Sequence, residues 1–213
     1  MRLGIHEAVE LHEVMSGKVT TIDHHALYIS ECQDPQLRSI LERHQQRMIQ
    51  DYQKALGFMQ GRGIDPTPYR MRMEAGIQYG MQAGQPVHPH PQARHLSDQA
   101  IANGALMQHK CGATKATAAA LEAADPELRL LFTDTILTCA GMAYELFQYM
   151  NQKGWYQVPA MERGLLNQMT QSFGPVAGRN LEQHRAGGMG VGPVTNAWTA
   201  GPQAGETGWG YRA

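Results

Sequence analysis

Apolar residues recur at alternating steps of four and three along four stretches of the chain. Leu37, Leu41, His44, Met48, Asp51, Ala55 and Phe58 form one series, and Leu128, Phe132, Thr135, Cys139, Met142, Leu146 and Tyr149 another. Ile5, Ala8, His12, Met15, Val19, Ile22, Ala26 and Ile29 form a third; Leu96, Ala100, Asn103, Met107, Thr114, Ala118 and Leu121 give a looser fourth, irregular near Cys111. Such spacing lines up one face of a helix and is the seam of helices packed nearly parallel or antiparallel. It predicts four helices of roughly 25 residues, each about 40 Å long at about 1.5 Å per residue.

The pattern repeats at an offset of 91 positions, the separation of Asp34 from Asp125. "DPQLRSIL" at 34–41 aligns with "DPELRLLF" at 125–132, and "FMQGRGIDPTP" at 58–68 with "YMNQKGWYQVP" at 149–159. Each shared element suits a helix end. Asp34 and Asp125 are placed as N-caps, with Pro35 and Pro126 at the first helical position, where a missing N–H costs nothing. Arg62 and Lys153 are expected in the last turn, Gly63 and Gly154 at the left-handed residue after it, and Ile64 and Trp155 folding back onto the helix. Trp155 is thus read as a latch, and Tyr156 as packing at the end of the bundle.

Short Asp-Pro connections make each helix pair an antiparallel hairpin. Between the pairs lies a Pro-, Gly- and His-rich segment long enough to traverse the bundle. Two hairpins joined by a long crossover, with the second and third helices parallel, is the ferritin-like plan. The expected fold is therefore an all-α, ferritin-like four-helix bundle of two repeated antiparallel helical hairpins with a long crossover, plus a Gly-rich C-terminal tail. The divisions are a first hairpin at 1–64, the crossover linker at 65–95, a second hairpin at 96–159, and a short helix with the tail at 160–213.

Composition bears on partners more than on fold. A net charge of −1 and a pI of about 6.8 leave no footprint for nucleic acid and no polybasic membrane patch. No apolar run approaches the roughly 20 residues of a membrane span. Charged residues make up 17% of the chain, a weak defence against self-association, which favours a homo-oligomer. Cys32, Cys111 and Cys139 have neither the number nor the spacing of a disulfide framework or a zinc site. In the tail, Trp198, Trp209 and Tyr211 interrupt Gly-rich sequence as candidate anchors for assembly.

Residues 96–159, with "DPELR" at the turn and "KGWY" at the close, resemble the Coat F domain of bacterial endospore coat proteins. The resemblance implies a ferritin-like bundle and a structural role in the spore coat, assembled from the mother-cell cytoplasm, with other coat proteins as partners. The first hairpin departs from it, with "RGID" where the second has "KGWY".

A ferritin-like fold raises the question of a di-iron site. That chemistry needs inward carboxylates and two Glu-x-x-His motifs; the chain has no Glu-x-x-His, and the interior of the fourth helix offers only Asp134 and Glu145. No catalytic residue, cofactor or metal is therefore expected. His44 and Asp51 are nevertheless polar on an apolar seam. They are expected to find hydrogen bonds across the bundle. The alternative is a metal-binding or oxidoreductase ferritin-like protein with a non-standard site drawn from His12, His25, His44 and Asp51. The loop histidines His88, His90 and His95 are read as a solvated spacer. "GGMGVG" at 187–192 lacks the strand, helix and Lys of a phosphate loop.

Overall fold

Two Asp-Pro turns set the long helices. In the computed structural model, which describes residues 3–72, 76–81 and 88–174, α1 spans Ile5–Glu31, α2 Pro35–Met59, α3 Asp98–Glu122, α4 Pro126–Gln152 and α5 Arg163–Gln171. No strand occurs among the described residues; an isolated bridge joins Tyr79 and Gly80 to Val158. Asp34 Oδ1 accepts the Gln36 and Leu37 amides, and Asp125 Oδ1 accepts that of Leu128, so both aspartates are N-caps ahead of a first-turn proline. Ser97 caps α3 through the Ala100 amide.

The first four helices enclose one interior, α1 packing on α2 and α3, and α4 on α3 and α2. Hydrogen bonds at the ends fix their directions. The Glu7 carboxylate, at the start of α1, accepts the Ala124 and Asp125 amides at 2.8 and 2.7 Å between α3 and α4. Asp98, at the start of α3, accepts the Gln33 and Asp34 amides at 2.8 and 3.0 Å between α1 and α2. Each hairpin thus caps the turn of the other, and α2 and α3 begin at the same end. Both turns are also closed from within, Arg38 donating to the Cys32 carbonyl and Arg129 to that of Ala123. Every partner in these pairs lies 91 positions from its counterpart.

Both α2 and α4 end in a doubly bonded turn that satisfies terminal carbonyls. After α4, the Gly154 and Trp155 amides donate to Asn151 and Met150, with Gly154 at φ +73°. After α2, the Gly61 and Arg62 amides donate to Phe58 and Gly57, and Gly61 stands at φ +79°. The expectation for Gly63 and Arg62 is therefore corrected. Of two glycines flanking Arg62, the first reached takes the left-handed position, which ends α2 at Met59 and puts Arg62 beyond it.

The seams expected on α2 and α4 are the buried ones, apart from half-buried Cys139. Those on α1 and α3 are not. Burial on α1 falls on Glu7, Leu11, Val14 and His25, leaving Ile5 85% and Leu27 62% exposed. On α3 it falls on Ile101, Ala102, Ala105, Leu106, His109, Ala116, Ala119 and Ala120, and every member of the expected seam is exposed. Beside Leu11, Val14, Ile101 and Leu106 the inward faces carry polar residues and alanines, and other large apolar residues face outward, so reading by size selects the wrong face.

The apolar interior is split. One cluster gathers Leu37, Ile40, Leu41, Ile101, Leu106 and Tyr149 near the start of α2, and another gathers Leu11, Phe58, Leu128, Leu131 and Phe132 near its end. Between them the interior turns polar. The second unit of the chain begins at Met161; within it the nine residues of α5 are all exposed.

Candidate functional site

Each of the first four helices sends one ionisable side chain to the upper part of this polar waist: His25 from α1, His44 from α2, His109 from α3 and Glu145 from α4, none more than 1% exposed. The acceptors settle the ring tautomers. His25 Nδ1–H donates to the Thr21 carbonyl at 3.0 Å, so Nε2 carries the lone pair. His44 Nε2–H donates to Glu145 Oε2 at 3.0 Å, which leaves His44 Nδ1 to accept from His109 Nε2–H at 3.2 Å. Burial pushes all three imidazoles below their ordinary range, His25 to about 4; the pull of Glu145 only partly offsets this at His44. Burial also opposes ionisation of Glu145, but hydrogen bonds from His44, Tyr69 and Arg43 outweigh it and hold the carboxyl at about 2. The state is three neutral rings beside one carboxylate.

Tyr69, from the segment between the hairpins, closes this layer from outside. Its hydroxyl donates to Glu145, and its ring lies edge-on to His44. The ring fits because residue 141 is glycine: a Cβ there would stand 2.6 Å from Tyr69 Cδ1.

A second layer lies one to three turns further along α2. Arg47 Nε donates to Asp51 Oδ1 and its terminal nitrogen to Thr138 Oγ1, both at 2.9 Å. Lys54 Nζ donates to Asp134 Oδ2 at 2.6 Å and lies 3.6 Å from Asp51. Two cations and two anions compensate one another, as buried charges must. Across the layers Arg43 pairs with Glu145 and Lys54 with Asp134. At the offset of 91, Arg43 answers to Asp134 and Lys54 to Glu145, so the cross-bundle pair recurs with its charges exchanged.

The structure thus brings His25 and His44 together, puts Asp51 in the adjoining ion network, and leaves His12 exposed. Sequence reasoning missed His109, Tyr69, Arg43 and Arg47. The signal for His109 was its register with Ala102, Ala105 and Ala116, which marks the inward face of α3. Trp155 is half-buried against Tyr149, at a 5.7 Å ring separation, and Tyr156 against Phe147 at 5.0 Å, with Lys110 over its ring. Ile64 packs half-buried on the cluster at the far end, and Gly63 is exposed. His88, His90 and His95 are exposed as well. Trp198, Trp209 and Tyr211 lie outside the described residues. Among the described helices α4 alone is long and apolar enough to cross a membrane by length and composition, yet it carries the inward Asp134 and Glu145.

Four long helices around a polar waist define an all-α protein whose likeness to known proteins is specific. Residues 97–159 match the Coat F domain. The chain is 32% identical over 191 residues to the spore coat protein F-like protein YhcQ of Bacillus subtilis (strain 168), covering 88% of this chain and 87% of that one. A crystal structure of a candidate spore coat protein, BH2358 from Bacillus halodurans C-125, shares the fold. It has a TM-score of 0.56 at 15% identity, over 76% of this chain and 96% of that one. The chain belongs to the Coat F family of spore coat proteins.

Proposed function

We propose that the chain is a structural component of the spore coat. In this reading it is a ferritin-like bundle of two copies of one hairpin, residues 1–64 and 96–159, joined by the crossover 65–95. It works by association with itself or with other coat proteins and not by catalysis. Membership of the Coat F family supports the coat role. The observation that carries assembly is the set of large apolar side chains left in solvent along α1, α3 and α4, whereas α2 leaves only its last residue, Met59. They are Ile5, Val9, Val19 and Leu27 on α1, Met107 and Leu121 on α3, and Leu130, Leu137 and Tyr144 on α4. The last three recur every seven residues, along one line of the helix. By contrast α2 shows solvent Gln36, Ser39, Glu42, Gln46, Gln50 and Gln53. Burying apolar area against another surface contributes about 25 cal/mol per Å², and few charges oppose the approach. Trp198, Trp209 and Tyr211 add aromatic anchors in the tail. Against catalysis by an iron pair stands the engagement of both interior acids of α4, Glu145 with Arg43 and Asp134 with Lys54.

Fractionation of spores tests this reading. Wild-type chain is expected in the coat extract, and a variant with Leu130, Leu137 and Tyr144 changed to Gln in the soluble mother-cell fraction. Wild-type chain missing from the coat, or a variant retained there like wild type, overturns it.

A further inference from the structure

The three buried imidazoles have an arrangement that hydrogen bonding alone does not complete. One ring nitrogen from each of His25, His44 and His109 lies within 4.8 Å of the others, and the residues come from three helices. Among the described residues His25 Nε2 has no hydrogen-bond partner, although it is buried and its ring centroid stands 5.3 Å from that of His109. A buried acceptor left unsatisfied is costly and calls for an explanation.

We propose that His25, His44 and His109 form a mononuclear binding site for a divalent transition-metal ion, with Zn²⁺ as the type case. His25 Nε2 and His44 Nδ1 present lone pairs to the centre. His109 Nε2 becomes the third ligand when its proton moves to Nδ1, so loading requires no net proton release. Its 3.2 Å separation from His44 Nδ1 is close to the edge of about 3.3 Å between ligands around a tetrahedral ion with Zn–N bonds of about 2.0–2.1 Å.

The outer contacts are already those of a metal site. Ligating histidines characteristically donate their other N–H to a carbonyl or a carboxylate, as His25 does to Thr21 and His44 to Glu145. Arg43 and Tyr69 hold Glu145 in place. A set of neutral imidazoles suits Zn²⁺, Co²⁺, Ni²⁺ or Cu²⁺ and disfavours Mg²⁺ and Ca²⁺, which prefer oxygen. This is not a di-iron site, since among the described residues only Glu145 brings a carboxylate to the layer, and it serves as the partner of His44. An ion here would tie α1, α2 and α3 together at a level where apolar packing is interrupted. The inference is independent of the assembly reading, because its readout is bound metal and not oligomer size.

The test uses full-length, untagged protein stripped with chelator. Calorimetric titration with Zn²⁺ is expected to show one equivalent bound, with Mg²⁺ showing none, and Zn²⁺ is expected to raise the melting temperature. Co²⁺-loaded wild type should give the visible absorption of a four-coordinate ion and, by X-ray absorption, three imidazole nitrogens; this readout depends on no variant. Glu145→Gln should weaken binding about 10–100-fold, His25→Gln should abolish it, and replacing His88, His90 and His95 by Ala should leave it intact. Absence of stoichiometric binding, an oxygen-dominated shell, binding retained in His25→Gln, or binding lost with the loop histidines would each overturn the proposal.

Discussion

Gly61 and Gly154 hold a left-handed backbone and Gly63 does not. Alanine at Gly61 or Gly154 is therefore expected to cost about 1–2 kcal/mol, and at Gly63 close to nothing, in urea unfolding. A cost at Gly63 matching that at Gly61 would contradict the assignment. Trp155→Ala should lose about 2–3 kcal/mol, less than a fully buried aromatic because the ring is half-exposed, and Tyr156→Ala about 1 kcal/mol. The buried histidines set the acid response. With its folded-state pKa near 4 against 6.5, His25 stays neutral in a range where the unfolded chain takes up protons. Stability of the metal-free protein should accordingly fall as pH drops from about 6.5 to about 4, with the ionised Glu145 adding a further loss from about 4.5 towards about 2. His25→Gln should flatten the first part of the slope; a urea midpoint constant across that range would contradict the neutral cluster. His44 and Asp51 were visible in the sequence because they break an apolar series. His109 was not, because its neighbours on the inward face are alanines, which carry little hydrophobic contrast.

Among the elements, α4 was legible in full, α2 in all but its last turn, and α1 and α3 only in their ends. Both Asp-Pro turns and their caps are written in local sequence. The rotation of α1 and α3 is not, because their inward faces carry Lys18, Thr21 and His25 or a row of alanines, while larger residues point out. The exchanged ion pairs between α2 and α4 fix which helix faces which: α2 supplies Arg43 and Lys54, α4 supplies Glu145 and Asp134. Lys54→Glu should place like charges beside buried Asp134 and cost several kcal/mol, consistent with breaking a buried pair. Adding Asp134→Lys should restore much of the loss, measured as a double-mutant cycle in urea. No recovery in the double variant would show that the pair contributes nothing specific to the meeting of these helices.

For the whole molecule, the two apolar ends supply the burial, and the polar waist makes the pairing of the four long helices specific. In the proposed assembly, the outward apolar residues of α1, α3 and α4 meet a second surface. Full-length protein on size-exclusion chromatography with light scattering, beside the variant with Leu130, Leu137 and Tyr144 changed to Gln, tests this most directly. A defined oligomer is expected for the wild type and a smaller species, equally helical, for the variant. A wild-type monomer at concentrations well above micromolar, or an oligomer unchanged by the three substitutions, would contradict it.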